Sequence, residues 1–477
     1  MSLPLSRRGL LHGSAALAGL SVIPGSLSAG QHAPGSNGAK DTLRTLTARA
    51  GSAMLNGRQT TGIWGFEGQV PGPVLRVPQG EDLRLRFANQ IDHASTIHWH
   101  GIRINNAMDG VPGLTQPPVA SGQTFDYRFR CPDAGTFWYH PHKMSSQQIG
   151  RGLYGALIVD EAKPPQVDRD RVLMFDDWRL DETGQIHAAS FGAIHDRAHG
   201  GRFGNTFTLN GQHDHTLAVR AGERLRLRLI NVANANLFAV RFRDHVPTLI
   251  ALDGQPITPV PAPEGVVLLG PGQRADVMID AMGKPGARFA IEMILSRSVE
   301  TVGHLVYAQE PPIRTTPLDA PIALPANPLT TKLDLANALD VDIPMEGGAM
   351  GRLAAAQHHG QRMSLRDLVR SKGYAWALSG HAGMPRKPLF TARRGQTVRL
   401  TFRNRSMWPH AMHLHGHHMR DVGTPAAQAW WRDTVLLFRG EEKTVAFVAD
   451  NPGKWMLHCH MLEHHEGGMG TWFEVTG

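Results

Sequence analysis

Cysteine is almost absent from this chain: its 477 residues hold two, Cys131 and Cys459. A disulfide framework is therefore not implied, and at this length two to four domains can each bury a core of their own. Long apolar runs are missing too. Past residue 29 no segment is long enough to cross a bilayer as a helix, which predicts no membrane insertion. Nor is there a basic cluster, although the formal charge is +8. The arginines are scattered and alternate with apolar residues, as in Leu83-Arg84-Leu85-Arg86-Phe87 and Leu225-Arg226-Leu227-Arg228-Leu229. That pattern reads as the solvent face of half-buried strands and argues against nucleic acid as a partner. Helical periodicity is lacking over most of the chain. Turn formers are plentiful instead, with 52 glycines and 32 prolines, about one residue in six. The balance suits many short strands joined by loops.

The N-terminus reads Ser6-Arg7-Arg8-Gly9-Leu10-Leu11, then a modestly apolar stretch to Ile23 and small residues to Ala29. Paired arginines before a weakly hydrophobic core resemble a twin-arginine signal. Residues 1–29 are therefore expected to address the chain to the twin-arginine export machinery and to predict a soluble, periplasmic protein.

One module occurs three times. Leu75 to Asn89, Leu217 to Asn231 and Phe390 to Asn404 each read strand, glycine turn, alternating strand, asparagine, with nine residues from Gly80, Gly222 or Gly395 to the asparagine. The expected β-sandwich domains lie at 40–162, 163–312 and 325–477, with a proline-rich linker at 313–324. The segment around Met345, Met350, His358, His359 and Met363 is the least legible, and Ser364 to Gly373 allows a short helix.

Running forward from each asparagine, the first module has His98 and His100 at the ninth and eleventh places, and the third has His413 and His415. The second has Val240 and Phe242. A later glycine tells the same story, with His140 and His142 after Gly135, His458 and His460 after Gly453, but Ile291 and Met293 after Gly286. Thus the middle copy keeps the scaffold without the ligands. In a strand, residues i and i+2 share a face, so each His-x-His aims two imidazoles at one place, and Cys459 points away from His458 and His460. His410, Cys459, His464 and Met469 supply the two histidines, thiolate and weak methionine ligand of a blue copper site. The other eight histidines come equally from the first and third modules and can meet only between them. Cys131 is left as a small buried residue.

These four clusters, in this order and spread over nearly the whole chain, resemble the signature segments of the multicopper oxidases, especially bacterial three-domain laccase-like and copper-tolerance members. The resemblance implies an all-β fold of three cupredoxin-like Greek-key domains and four copper ions. It assigns the type 1 copper to His410, Cys459, His464 and Met469, and the type 2 copper to His98 and His413. The type 3 pair then falls to His100, His140, His142, His415, His458 and His460. A small donor would give electrons singly to the type 1 site, and Cys459 would pass them through its flanking histidines until four reduce dioxygen to two waters.

Asp109, in Met108-Asp109-Gly110, resembles the acid that family members place beside the cluster, with a turn aspartate as the rival reading. Several bacterial members have Glu directly after the equivalent of His464. Here His465 stands there and Glu466 follows, so Glu466 is the candidate for that acid. His417, His418, His213 and His215 do not match ligand positions and are read as supporting or surface residues. Expected donors are phenolic or aromatic compounds. The alternatives are a periplasmic cuprous oxidase in copper tolerance, for which Met345 and Met350 give slight support, or a non-catalytic copper-binding protein. A two-domain nitrite reductase is disfavoured by the three modules and by histidines on both sides of Cys459.

Overall fold

The computed structural model describes residues 43–321, 323–425 and 429–477; the expected export signal lies outside them. The described chain is predominantly strand and forms three sheet-rich domains in sequence order. The first has two four-stranded sheets, and the second and third each have a six-stranded and a five-stranded sheet. In the first, Leu46, Phe87 and Tyr127 of one sheet meet Trp99, Phe137 and Leu157 of the other in a single apolar core. This is the sandwich that alternating strands require.

The repeat is a repeat of topology. Strands Asp82–Asn89, Glu223–Asn231 and Thr397–Asn404 each run parallel to the strand that opens their domain, Arg44–Leu55, Arg169–Trp178 and Leu339–Gly347 respectively. Each also pairs antiparallel with a later strand. The shared landmarks have a local cause. Gly80, Gly222 and Gly395 turn with φ of 86°, 84° and 85°, where a side chain is strained. Asn89, Asn231 and Asn404 use their side-chain amides to close the next loop. Their Nδ2 groups donate to the carbonyls of His93, Asn236 and Trp408, and their Oδ1 atoms accept from the backbone N–H of Ile91, Ala233 and Ser406. A buried amide loses little only when its donors and acceptors are paired like this.

The arginine alternation needs correcting in the middle copy. Arg86 is exposed, as a solvent-facing strand residue should be, but Arg226 and Arg228 are buried, with 1% and 0% exposure. They pair with Asp276, Glu161 and Asp170, and Arg228 also donates to Thr136 of the first domain. The face that would meet solvent in an isolated sandwich is here packed against a neighbouring domain, and carboxylates make that burial tolerable.

In the least legible segment a hairpin, Ala355–His358 with Gln361–Ser364, leads into helix Leu365–Lys372. Ser364 accepts from the N–H of Asp367 at the N-cap, and Gly373 closes the helix with φ 69°. Among the described residues no helix is long and apolar enough to cross a membrane.

Candidate metal centre

Four short strands and the residues directly after them carry the histidines. His98–His100 pairs antiparallel with Gly135–His140, setting His98 opposite His140. His410–Leu414 pairs with Gly453–Cys459, setting His413 opposite His458. Because side chains alternate, Trp99 points back among Tyr127, Phe129 and Tyr139 while its two neighbours point out of the domain. The outward rings of the first and third domains interleave. His98 stacks on His415 with centroids 3.9 Å apart, and His100 on His413 at 3.7 Å and 9°. All eight imidazoles are buried.

The outer ring nitrogens are engaged. The Nδ1 groups of His98, His140, His413 and His458 lie 2.8–3.1 Å from the backbone carbonyls of Asp109, Pro141, Asp433 and Cys459. Nδ1 of His415 is 2.9 Å from Asp109 Oδ2. With the proton on Nδ1, each ring turns the Nε2 lone pair inward. These inner nitrogens crowd one another. His458 Nε2 lies 3.1 Å from His415 Nε2 and 3.3 Å from His142 Nε2, and His100 Nδ1 lies 3.5 Å from His140 Nε2. Nε2 of His98, Nε2 of His413 and both nitrogens of His460 have no partner. Converging lone pairs in a dry interior are unfavourable without a cation, and borderline nitrogen donors suit copper. Burial, reinforced by neighbouring histidines, pushes the imidazoles of His100, His140, His142, His415, His458 and His460 well below their ordinary range, which keeps them unprotonated as ligands must be.

On the other face of strand Gly453–Cys459, the Cys459 sulfur lies 3.6 Å from His410 Nδ1 and 3.7 Å from His464 Nδ1, and these two nitrogens are 3.1 Å apart. The loop after the strand folds back: the Cys459 N–H donates to the carbonyl of Met469, whose own N–H donates to that of His464. Met469 is buried in the same core. Trp376 covers both imidazoles, with centroids 5.1 Å and 4.4 Å away. Burial pushes the Cys459 thiol up to about 12, so a nearby cation is what makes it a thiolate. Together the groups His98/His413/His415, His98/His100/His140, His142/His458/His465, His410/Cys459/His464 and His100/His413/Asp433 overlap in the arrangement of type 1, type 2 and type 3 copper centres.

Other residues singled out in the sequence fall in varied places. Asp109 is buried, with Oδ2 on His415 and Oδ1 3.3 Å from His98 Nδ1. Glu466 accepts from the N–H and hydroxyl of Ser146 and lies 3.5 Å from Arg197. It is His465 whose ring lies beside His458 and His142, at 4.5 Å and 5.1 Å. His417 and His418 are buried rather than on the surface, the latter with Nε2 3.1 Å from the carbonyl of Asp253. His213 and His215 lie apart from the cluster. Met345 is buried in the core of the third domain and Met350 is exposed. Cys131 is buried in the first domain's core, where burial pushes its thiol up to about 12.

Sequence reasoning missed Asp433, whose carboxylate faces His100 and His413, and Glu463, buried against Asn234 and the N–H of Arg202. It also missed that His464 Nε2 donates to the backbone carbonyl of His199 at 2.6 Å. Beside that carbonyl a cavity of about 560 Å³ is lined by Phe203, Leu237, Trp408, Pro409 and Met461, with Arg297 among its polar groups. Gly200 sits between the rings of Phe203 and Trp408: a Cβ there would be 2.8 Å from one and 3.3 Å from the other. No spacing signal marks these partners, because they meet only once the domains pack.

Three family profiles, each described as multicopper oxidase, match residues 47–164, 169–309 and 359–477. Multicopper oxidase MmcO of Mycobacterium tuberculosis is 28% identical over 90% of this chain and 86% of its own length. A copper resistance protein A homolog of Pseudomonas syringae pv. tomato is 27% identical over 91% and 92%. Among solved structures, a multi-copper oxidase from Pseudomonas thermotolerans superposes with TM-score 0.79 at 33% identity, covering 91% of this chain and 99% of that one. Lac15, from a marine microbial metagenome, gives 0.73 at 37% identity over 91% and 100%. With its three sheet-rich domains, overlapping histidine groups and thiolate group, the chain belongs to the multicopper oxidase family.

Proposed function

We propose that the protein is a laccase-like oxidase that takes electrons singly from phenolic or related aromatic donors and delivers them to dioxygen. The observation that carries the donor class is the cavity lined by Gly200, the neighbour of His199 whose carbonyl is bonded to His464, in which Phe203 and Trp408 offer aromatic faces. In this reading His410, Cys459, His464 and Met469 hold the type 1 copper, and His98 and His413 the type 2. His100, His140, His142, His415, His458 and His460 hold the type 3 pair. Copper so held supplies a one-electron acceptor at the thiolate and the four-electron reduction of dioxygen to water at the histidine cluster.

The chain's own residues then have separable roles. The His464 Nε2–H, bonded to His199, links the cavity edge to the thiolate site. Cys459, flanked by His458 and His460, joins the two sites covalently through one strand. Asp109, on His415, is placed to hold and pass a proton, and Glu466, anchored by Ser146 and Arg197, steadies the turn that carries His464 and His465. The domain limits remain those expected from the repeat. The paired arginines near the N-terminus support twin-arginine export to the periplasm.

Steady-state oxidation of a neutral phenol and of Cu(I), by the wild type and by Phe203→Ala, tests the donor class. The phenol should be the better substrate. The substitution should raise KM for it roughly tenfold, about 1.4 kcal/mol of lost contact, with Cu(I) oxidation unchanged. A preference for Cu(I), with phenol oxidation stimulated severalfold by added Cu(II), would replace this reading by the cuprous oxidase one.

A further inference from the structure

The middle domain supplies no histidine to the cluster, yet it reaches it. Arg274, the first residue of strand Arg274–Ala281, is fully buried. Its backbone N–H donates to Asp253 Oδ1, its Nε to the carbonyl of Thr136 and its Nη1 to that of Gly272. The guanidinium forks onto Asp433 of the third domain, with Nη1 to Oδ1 at 2.8 Å and Nη2 to Oδ2 at 2.6 Å. Space for this fork comes from Gly101, directly after His100. A Cβ there would lie 2.1 Å from Arg274 Nη2 and 2.5 Å from Asp433 Oδ2.

The carboxylate so held faces two rings. Asp433 Oδ1 is 3.3 Å from His100 Nε2 and 3.4 Å from His413 Nδ1. The hydroxyl of Thr434 donates to the same oxygen at 2.8 Å and lies 3.1 Å from His413 Nδ1. An anionic acceptor in this position favours the tautomer with the proton on His100 Nε2, and it reinforces the Asp433 carbonyl, 3.1 Å from His413 Nδ1, in favouring the proton there. The lone pairs of His100 Nδ1 and His413 Nε2 are then left for the cluster, the first facing His140 and the second without a partner. A bidentate fork fixes the plane of a carboxylate as a point charge does not.

We infer that Arg274 is a positioning residue contributed by the ligand-free domain. Through Asp433 it sets the tautomer and ring plane of His100 and His413, and with them the hold on the copper shared by His98 and His413. The inference rests on the ligand assignment proposed above. It gives the middle module a function in the centre beyond joining its neighbours.

The test uses Arg274→Met and Arg274→Lys in copper-loaded protein, measuring copper per chain, the visible blue band, and the chelator concentration that removes the type 2 paramagnetic resonance signal. Both variants should stay blue, since the thiolate site lies on the other face of its strand. Arg274→Met should release the type 2 copper at a chelator concentration at least about tenfold below that of the wild type, with Arg274→Lys between them. A blue Arg274→Met protein with the wild-type release midpoint overturns the inference. If that variant does not fold, Arg274→Lys decides, because it keeps the charge and loses the fork, and wild-type release from it overturns the inference equally. Wild-type protein with full copper and no type 2 signal would instead overturn the ligand assignment, and the inference with it.

Discussion

Most of the clustered histidines have one nitrogen committed to a backbone carbonyl or carboxylate, which leaves the other for the interior. His417 likewise has Nδ1 3.2 Å from the carbonyl of His415, but its ring lies among Phe447, Trp455 and Phe473 with Nε2 unpartnered, and burial pushes its imidazole down to about 4. Its folded value lies below the unfolded value near 6.5. As pH falls, the unfolded chain therefore takes the proton first, and stability present above pH 6.5 is lost between 6.5 and 4. Urea unfolding of metal-free wild type and His417→Leu from pH 7.5 to 4 should show the variant losing less stability on acidification. Parallel curves would contradict it. At Asp109, Asn in place of Asp keeps the shape and removes the proton-bearing carboxyl, so oxygen consumption should slow roughly 10²-fold with the blue band intact. A bleached protein would mean that Asp109 serves the structure of the centre instead.

Strand Gly453–Cys459 and the residue after it serve two sites because an extended chain has two faces, with the imidazoles of His458 and His460 on one and the Cys459 thiol on the other. Cys459→Ser should therefore abolish the blue band and reduce copper from about four to about three per chain, while the type 2 signal persists; loss of all copper would show that the sites are not separable. Such elements were legible in the sequence because their period is short and local. The spacing of His98, His413 and Cys459, the Gly-to-Asn landmark and the helix after Ser364 depend only on neighbours within a few residues. The burial of Arg226 and Arg228 was not legible, since the same alternation lies on an exposed face in the first domain and against a neighbouring domain in the second. Asp433 and Arg274 escaped for the same reason, being distant in sequence and joined only across a domain boundary.

At the scale of the molecule, the cluster is a joint: half of its eight histidines come from the first domain, half from the third, and the second adds an arginine, Arg274, that pairs with the third domain's Asp433 behind them. A ligand that binds only the folded joint stabilises it, by about 4 kcal/mol per site at a free concentration 1,000 times its dissociation constant. Demetallated protein should accordingly melt lower than copper-loaded protein, and equal melting temperatures would mean that copper does not bridge the domains.

Whether the thiolate and histidine sites work as one oxidase can be read from a single copper-loaded sample by copper count, visible spectrum and oxygen uptake with a phenol and then Cu(I) as donor. The sample should hold about four coppers per chain, show an intense blue band, and consume one dioxygen for every four electrons donated. A colourless protein, or a blue one that consumes no oxygen with either donor, would contradict that expectation.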